Sequence, residues 1–166
     1  MRHQVAVFAA SVLLTVASIA RAETITVPAE VPFAEGLDVT NAVRTECTLQ
    51  TRLPQFIVDG AGRGLDVVIG DTAAATSGKV LQLEFTNILG FGGGAWSGPK
   101  SVTVTGKLYE NGQLIGNFVA SRYSTGGAFA GFKGTCSILG RCIETLGVDI
   151  ARWLAKPTMD ARLGNA

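Results

Sequence analysis

Asn111-Gly112 is the dipeptide that most restricts what this chain can become. A type I′ reversal needs positive φ at both central residues, and Asn-Gly between two alternating runs supplies it. The runs are SVTVTGKLYE before the turn and QLIGNFVASRYS after it. With a two-residue loop, Glu110 opposes Gln113, Leu108 opposes Ile115 and Val104 opposes Val119. Val102, Val104, Leu108, Ile115 and Val119 then share one face, the expected core face. The reverse face carries Thr103, Thr105, Lys107, Tyr109 and Arg122 with Leu114, Phe118 and Ala120. A slip of one residue would mix the two sets.

Beyond the second run, TGGAFAGFKGT holds too much glycine for the interior of a helix or strand. Leu139, Cys142, Ile143, Leu146, Ile150 and Trp153 then recur at helical spacing and form one apolar stripe. Arg141, Glu144, Asp149 and Arg152 fall largely beside or opposite it, and Pro157 ends the helix. Upstream, TLQTRLPQFIVDGAG predicts a shorter helix with Leu49, Leu53, Phe56 and Ile57 on one side. Pro54 sits in its first turn if Thr51 is the N-cap and kinks it if the helix begins earlier. LDVVIG (65–70) and KVLQLEFTNILG (79–90) are strand patterns, the second with Leu81, Leu83 and Phe85 alternating against Gln82, Glu84 and Thr86. Two prolines limit residues 23–36 to an edge strand or an extended lead-in. The expected class is α+β: an antiparallel sheet with a central β-meander and two helices packed on one face.

Residues 1–22 have the pattern of a secretory signal. A short polar start with Arg2 and His3 precedes an apolar run over residues 5–20 and the small-residue site Ala20-Arg21-Ala22. Residues 23–36 are then an extended N-terminal segment, 37–157 a single α+β domain and 158–166 a C-terminal tail. The expected location is periplasmic or secreted, and no later stretch is apolar and long enough for a transmembrane segment. Removing Arg2 and Arg21 from the 14 basic residues leaves 12 against 13 acidic ones. No basic stripe is present, which argues against nucleic acid as a partner.

The only histidine is His3, inside the expected signal. Residues 23–166 therefore cannot assemble Ser-His-Asp or Cys-His nucleophile systems, or the common histidine-containing zinc sites. Gly78-Lys79-Val80 lacks the frame of a phosphate loop, and GFGGG at 90–94 leads into a strand rather than a helix. Ser97 lacks the frame of a nucleophile elbow. No catalytic residue, metal site or cofactor is expected, although a pair of carboxylates could still hydrolyse glycosides.

Three cysteines remain, Cys47, Cys136 and Cys142. In an oxidising compartment they favour one bridge and one free thiol. If both are helical, Cys136 and Cys142 stand about 9 Å apart along the axis, too far for a bridge. Cys47 is the expected partner of one of them.

Meander connectivity sends the two glycine-rich loops out of the same end of the sheet. They carry Phe91, Trp96, Phe129 and Phe132, with Lys100 and Lys133 beside them. Aromatics and cations on flexible backbone at one rim make a candidate binding surface. If the aromatics instead fold inward, they plug the end of the sheet.

TECTLQTRLPQFI, LYENGQLIGNF and GGAFAGFKGTCSILGRCIETLGVDIARWL together resemble an uncharacterised family of small exported Gram-negative proteins, a domain of unknown function. The resemblance spans about residues 37–156. The layout is more loosely similar to envelope domains of curli-assembly and transporter-auxiliary lipoproteins, from which this chain departs by lacking a lipid-bearing cysteine. The resemblance implies an interaction or assembly part and gives no catalytic residues to carry over. The expected function is thus a non-enzymatic periplasmic binding or assembly domain with an envelope protein as partner. The alternatives are a histidine-free enzyme using carboxylates and a structural subunit that pairs through its exposed first strand.

Overall fold

The computed structural model describes residues 23–73, 77–90, 100–125 and 134–166. Asn111 and Gly112 adopt φ of 50° and 81°, the double positive φ that the turn requires. Around them, β4 (Lys100–Glu110) and β5 (Gln113–Ser124) pair antiparallel, and β3 (Lys79–Leu89) pairs antiparallel with β4. This is the expected meander. Asn111 is also tied to the start of β3: its N–H donates to the Gly78 carbonyl at 2.9 Å, and its Oδ1 accepts from the Gly78 N–H at 2.9 Å.

The register departs from the simple hairpin within three residues of the turn. Glu110 faces Gln113 and Tyr109 faces Leu114, but Leu108 faces Gly116, so Ile115 is an extra residue on β5. Such a bulge reverses which side chains beyond it point inward. Phe118 and Ala120 are therefore buried with Val102, Val104 and Leu108, while Val119 is 38% exposed and Ile115 is half-buried at the core's margin. Arg122 moves with them to the inner face. The face expected for Ile115 and Val119 is corrected accordingly.

The sheet is mixed rather than purely antiparallel. Its six strands run in the order β2-β1-β3-β4-β5-β6. β1 (Thr24–Pro28) lies parallel to both β2 (Asp66–Gly70) and β3. β6 (Ala161–Gly164), in the stretch 158–166 where the sequence suggests no element, lies parallel to β5. The first strand is thus interior, and the edges are β2 and β6. Pro28 is compatible with that place because it is the last residue of β1. Lacking an N–H, it stops the β1–β3 ladder after Thr26↔Val80. The chain rejoins β3 further on, where the Phe85 N–H donates to the Pro32 carbonyl and the Ala34 N–H donates to the Phe85 carbonyl, each at 2.9 Å.

Among the described residues three helices accompany the sheet, one more than expected. α1 (Asn41–Glu46) starts at Thr40, whose hydroxyl accepts from the Val43 N–H at 3.4 Å. α2 (Leu49–Gly60) follows Thr48, a residue at φ 49°, and buries Leu49, Leu53, Pro54 and Ile57. Pro54 lies inside this helix and cannot donate to the Gln50 carbonyl four residues back. The Val31 N–H fills that place at 3.1 Å, which joins the segment after β1 to the helix.

α3 (Thr135–Leu154) lies against β4 and β5 and packs beside α2. Leu139, Cys142, Ile143, Leu146, Ile150 and Trp153 are all buried, as the helical spacing predicts. The two helices approach closely at Gly147, where an added β-carbon would stand 2.5 Å from Cβ of Phe56. Cys47, between α1 and α2, is bonded to Cys136 in the first turn of α3, and Cys142 is a buried free thiol. Of the pairings open from the sequence, the bridge is the one to Cys136.

Candidate functional site

Two regions of this fold could meet a ligand or partner. The first is the end of the sheet where the loops at 90–99 and 125–134 are rooted. Leu89 pairs with Ser101 and Lys100 with Ser124, so β3 and β5 end where β4 begins, side by side. Gly90 reaches the first turn of α3: a β-carbon built on it would lie 3.6 Å from the Thr135 methyl. The root of the first loop thus lies near the start of α3, where Cys136 is bonded to Cys47. Phe91, Trp96, Phe129, Phe132 and Lys133 lie outside the described residues.

Lys100 is the one described member of the predicted rim, and it is only 1% exposed. It shares the inner face with Val102 and Val104, so it forms the base of the rim rather than a surface cation. Burial pushes the pKa of its ammonium below the usual lysine value. Its carbonyl accepts a long contact from the Cys142 thiol, at 3.9 Å. On the outer face the corner is apolar. Leu89 and Tyr123 flank Ser101 in one cross-strand row and are 40% and 61% exposed. Sequence reasoning missed both. The only available signal for Tyr123 was the reading of β5 alternation, which the bulge at Ile115 reverses.

The same reversal brings Arg122 against α3. Its Nε and Nη2 donate to Oδ2 and Oδ1 of Asp149 at 2.8 and 3.0 Å, a bidentate pair at the side of the core. The bond to the Asp149 carboxylate raises the Arg122 pKa against the opposing effect of burial. This pair ties the end of β5 to α3.

The second region is a groove of about 710 Å³ over the face of the sheet opposite the described helices. It opens where Pro28 interrupts the β1–β3 ladder. Its floor is the outer surface of β3 and β4 around Gln82, Glu84, Thr105 and Lys107. Its walls are residues 28–32 after β1 and residues 70–73 after β2. Glu30, Asp71 and Glu84 bring three carboxylates to it. The groove is absent from the sequence reading because it is formed by a missing stretch of ladder. Among the described residues, no group of three His, Cys, Asp or Glu side chains could hold a metal ion. No described helix is long and apolar enough to cross a membrane.

No family model and no curated protein matches this chain. The resemblance to the exported Gram-negative family therefore stays an expectation. Among solved structures, the chain is similar to the PelC dodecamer from Paraburkholderia phytofirmans at 18% identity over 81% of this chain and 93% of that one, with a TM-score of 0.46. A minor lipoprotein from Acinetobacter baumannii is 15% identical over 81% and 92%, with a TM-score of 0.43. A putative neuraminyllactose-binding hemagglutinin homolog from Helicobacter pylori is 14% identical over 81% and 84%, with a TM-score of 0.48. TM-scores this low identify neither a family nor a function.

Proposed function

We propose that this protein is a non-enzymatic binding or assembly domain of the cell envelope, and that it engages a protein partner through the two glycine-rich loops at one end of its sheet. The observation that carries this reading is that β3, β4 and β5 terminate side by side, Leu89 pairing with Ser101 and Lys100 with Ser124, with Gly90 next to the first turn of α3. These roots support a single surface formed by Phe91, Trp96, Phe129, Phe132 and Lys133, with Leu89 and Tyr123 continuing it onto the outer face. Lys100 lies beneath it. An extracytoplasmic location is supported by the Cys47–Cys136 bridge, since such bonds persist in oxidising compartments, and by the signal-like pattern of residues 1–22.

Replacing Phe91 and Trp96 together with Ser tests the reading. If the rings face a partner, the double variant keeps the melting temperature of the parent and loses its envelope crosslinks. If they plug the sheet, the variant unfolds or melts far lower, and the surface does not exist.

One observation favours a second reading, carboxylate chemistry: Glu30, Asp71 and Glu84 all line the groove. A panel of glycosides incubated with the protein and with its Glu84→Gln variant decides it. Absence of turnover in both removes the enzyme.

A further inference from the structure

The groove over the face of the sheet opposite the described helices differs in chemistry from the loop end, and its described lining comes from β1, β2, β3, β4 and the segments that follow β1 and β2. We propose that it is a binding site for a small organic cation, an amine or guanidinium carried on a short apolar body. Its volume of about 710 Å³ lies within the usual range for small-molecule sites. Its charge is one-sided. Among the described lining residues, Glu30 comes from the exit of β1, Asp71 from the exit of β2 and Glu84 from β3, against the single cation Lys107.

These acids are not consumed by the fold. The ion pairs among the described residues are Lys79 with Glu23 and Glu110, and Asp149 with Arg122 and Arg152. None uses a groove carboxylate. Asp71 accepts only a local bond, from the Ala73 N–H at 2.8 Å. Carboxylates from three segments lining one concave surface, without a matching number of cations, give it a negative potential. Between them, Pro28, Ala29, Pro32 and Ala73 offer apolar surface for the body of a ligand, while Gln82 and Thr105 add neutral hydrogen-bonding groups. An anion would meet three like charges, and a neutral molecule would gain nothing from them.

The groove also lies where two prolines interrupt backbone hydrogen bonding. The β1–β3 register ends at Thr26↔Val80, two residues before Pro28, which has no N–H to donate, and further on the Val31 N–H serves the Gln50 carbonyl that Pro54 cannot reach.

Benzamidine, benzamide and benzoate are nearly isosteric and carry positive, zero and negative charge. Each is titrated into the full-length isotope-labelled exported protein while amide resonances are followed. The site predicts saturable shifts at Asp71, Gln82, Glu84 and Lys107 with benzamidine, responses at least about tenfold weaker with benzamide and none with benzoate. Glu84→Gln weakens benzamidine by roughly three- to tenfold, and adding Asp71→Asn abolishes saturation, with the melting temperature unchanged because both side chains reach solvent.

The proposal is overturned by any of three results. One is no saturable response to benzamidine, and another is equal responses to benzamidine and benzamide. The third is shifts that follow acidic residues elsewhere, such as Asp38 and Glu144, and survive the double substitution. Failure here leaves the loop proposal untouched, because the residues substituted and followed lie in β3, β4 and the exit of β2 and none belongs to either loop.

Discussion

The ring of Phe118 lies over the Cα of Gly106 in the neighbouring strand, directly opposite it in the register, so that a β-carbon at position 106 would overlap the ring. This contact exists only because the bulge at Ile115 turns Phe118 inward, and it joins the hairpin to Trp153 of α3, whose ring meets Phe118 edge-on at 4.8 Å. Gly106→Ala is therefore expected to destabilise the protein by about 1–3 kcal/mol, the usual cost of overfilling a packed core. Urea unfolding reads it directly. A variant as stable as the parent would show that the ring has room to move.

Cys47–Cys136 closes a loop across 89 positions and holds the loop end of α3 against the start of α2. The Cys47→Ser, Cys136→Ser double variant should lose about 3–4 kcal/mol, mostly through the freer unfolded chain. Denaturant midpoints measured with the bridge intact and with the double variant give the value. Reductant added to the parent should reproduce the loss.

Burial pushes the Cys142 thiol up to about 11 from an ordinary 9.0. A raised folded pKa means that the unfolded chain releases its proton first as the solution becomes alkaline. The stability linked to this thiol is fully present below pH 9, and it declines as pH rises toward about 11. Cys142→Ala should therefore lose less stability than the parent between those two pH values. Urea midpoints at the two ends of the window measure the difference, and parallel losses in both proteins would contradict the burial of the thiol. At pH 8 the thiol should also resist alkylation until the protein is unfolded.

Arg122 and Asp149 form a two-bond pair in which the acid is 9% exposed and the base side chain 29%. Asp149→Ala should cost about 1–3 kcal/mol, since it strands a half-buried guanidinium. A double-mutant cycle with Arg122→Met should return part of that loss, because the stranded charge is then gone. A coupling near zero would mean that the pair is no more than a surface contact.

The parts of this fold that are legible in the sequence are those governed by local chemistry. Asn111-Gly112 specifies positive φ twice, and the stripe from Leu139 to Trp153 follows a period that no neighbour needs to correct. The register beyond the turn is set differently. Ile115 is accommodated as an extra residue because this lets Phe118 fill the space over Gly106, a decision made between strands and invisible in either strand alone. Parallel pairing of β1 with β2 and β3, and of β6 with β5, depends likewise on the path of intervening chain. Proline limits β1 only at its last residue, so a rule that confines it to an edge does not exclude an interior strand that ends there. The loop end was accessible from connectivity, but the groove was not, because it arises where Pro28 and Pro54 remove hydrogen bonds and the chain detours to replace one of them.

A photocrosslinking amino acid placed singly at Trp96, Phe129 or Gln113 of the full-length protein, in living cells, tests the proposed loop surface most directly. Gln113 is the control, since it sits beside the hairpin turn at the far end of β4 and β5. The account predicts that positions 96 and 129 capture the same envelope protein and that position 113 captures none. Equal capture from position 113, or crosslinks from 96 and 129 that run only into this chain's own core, would contradict it.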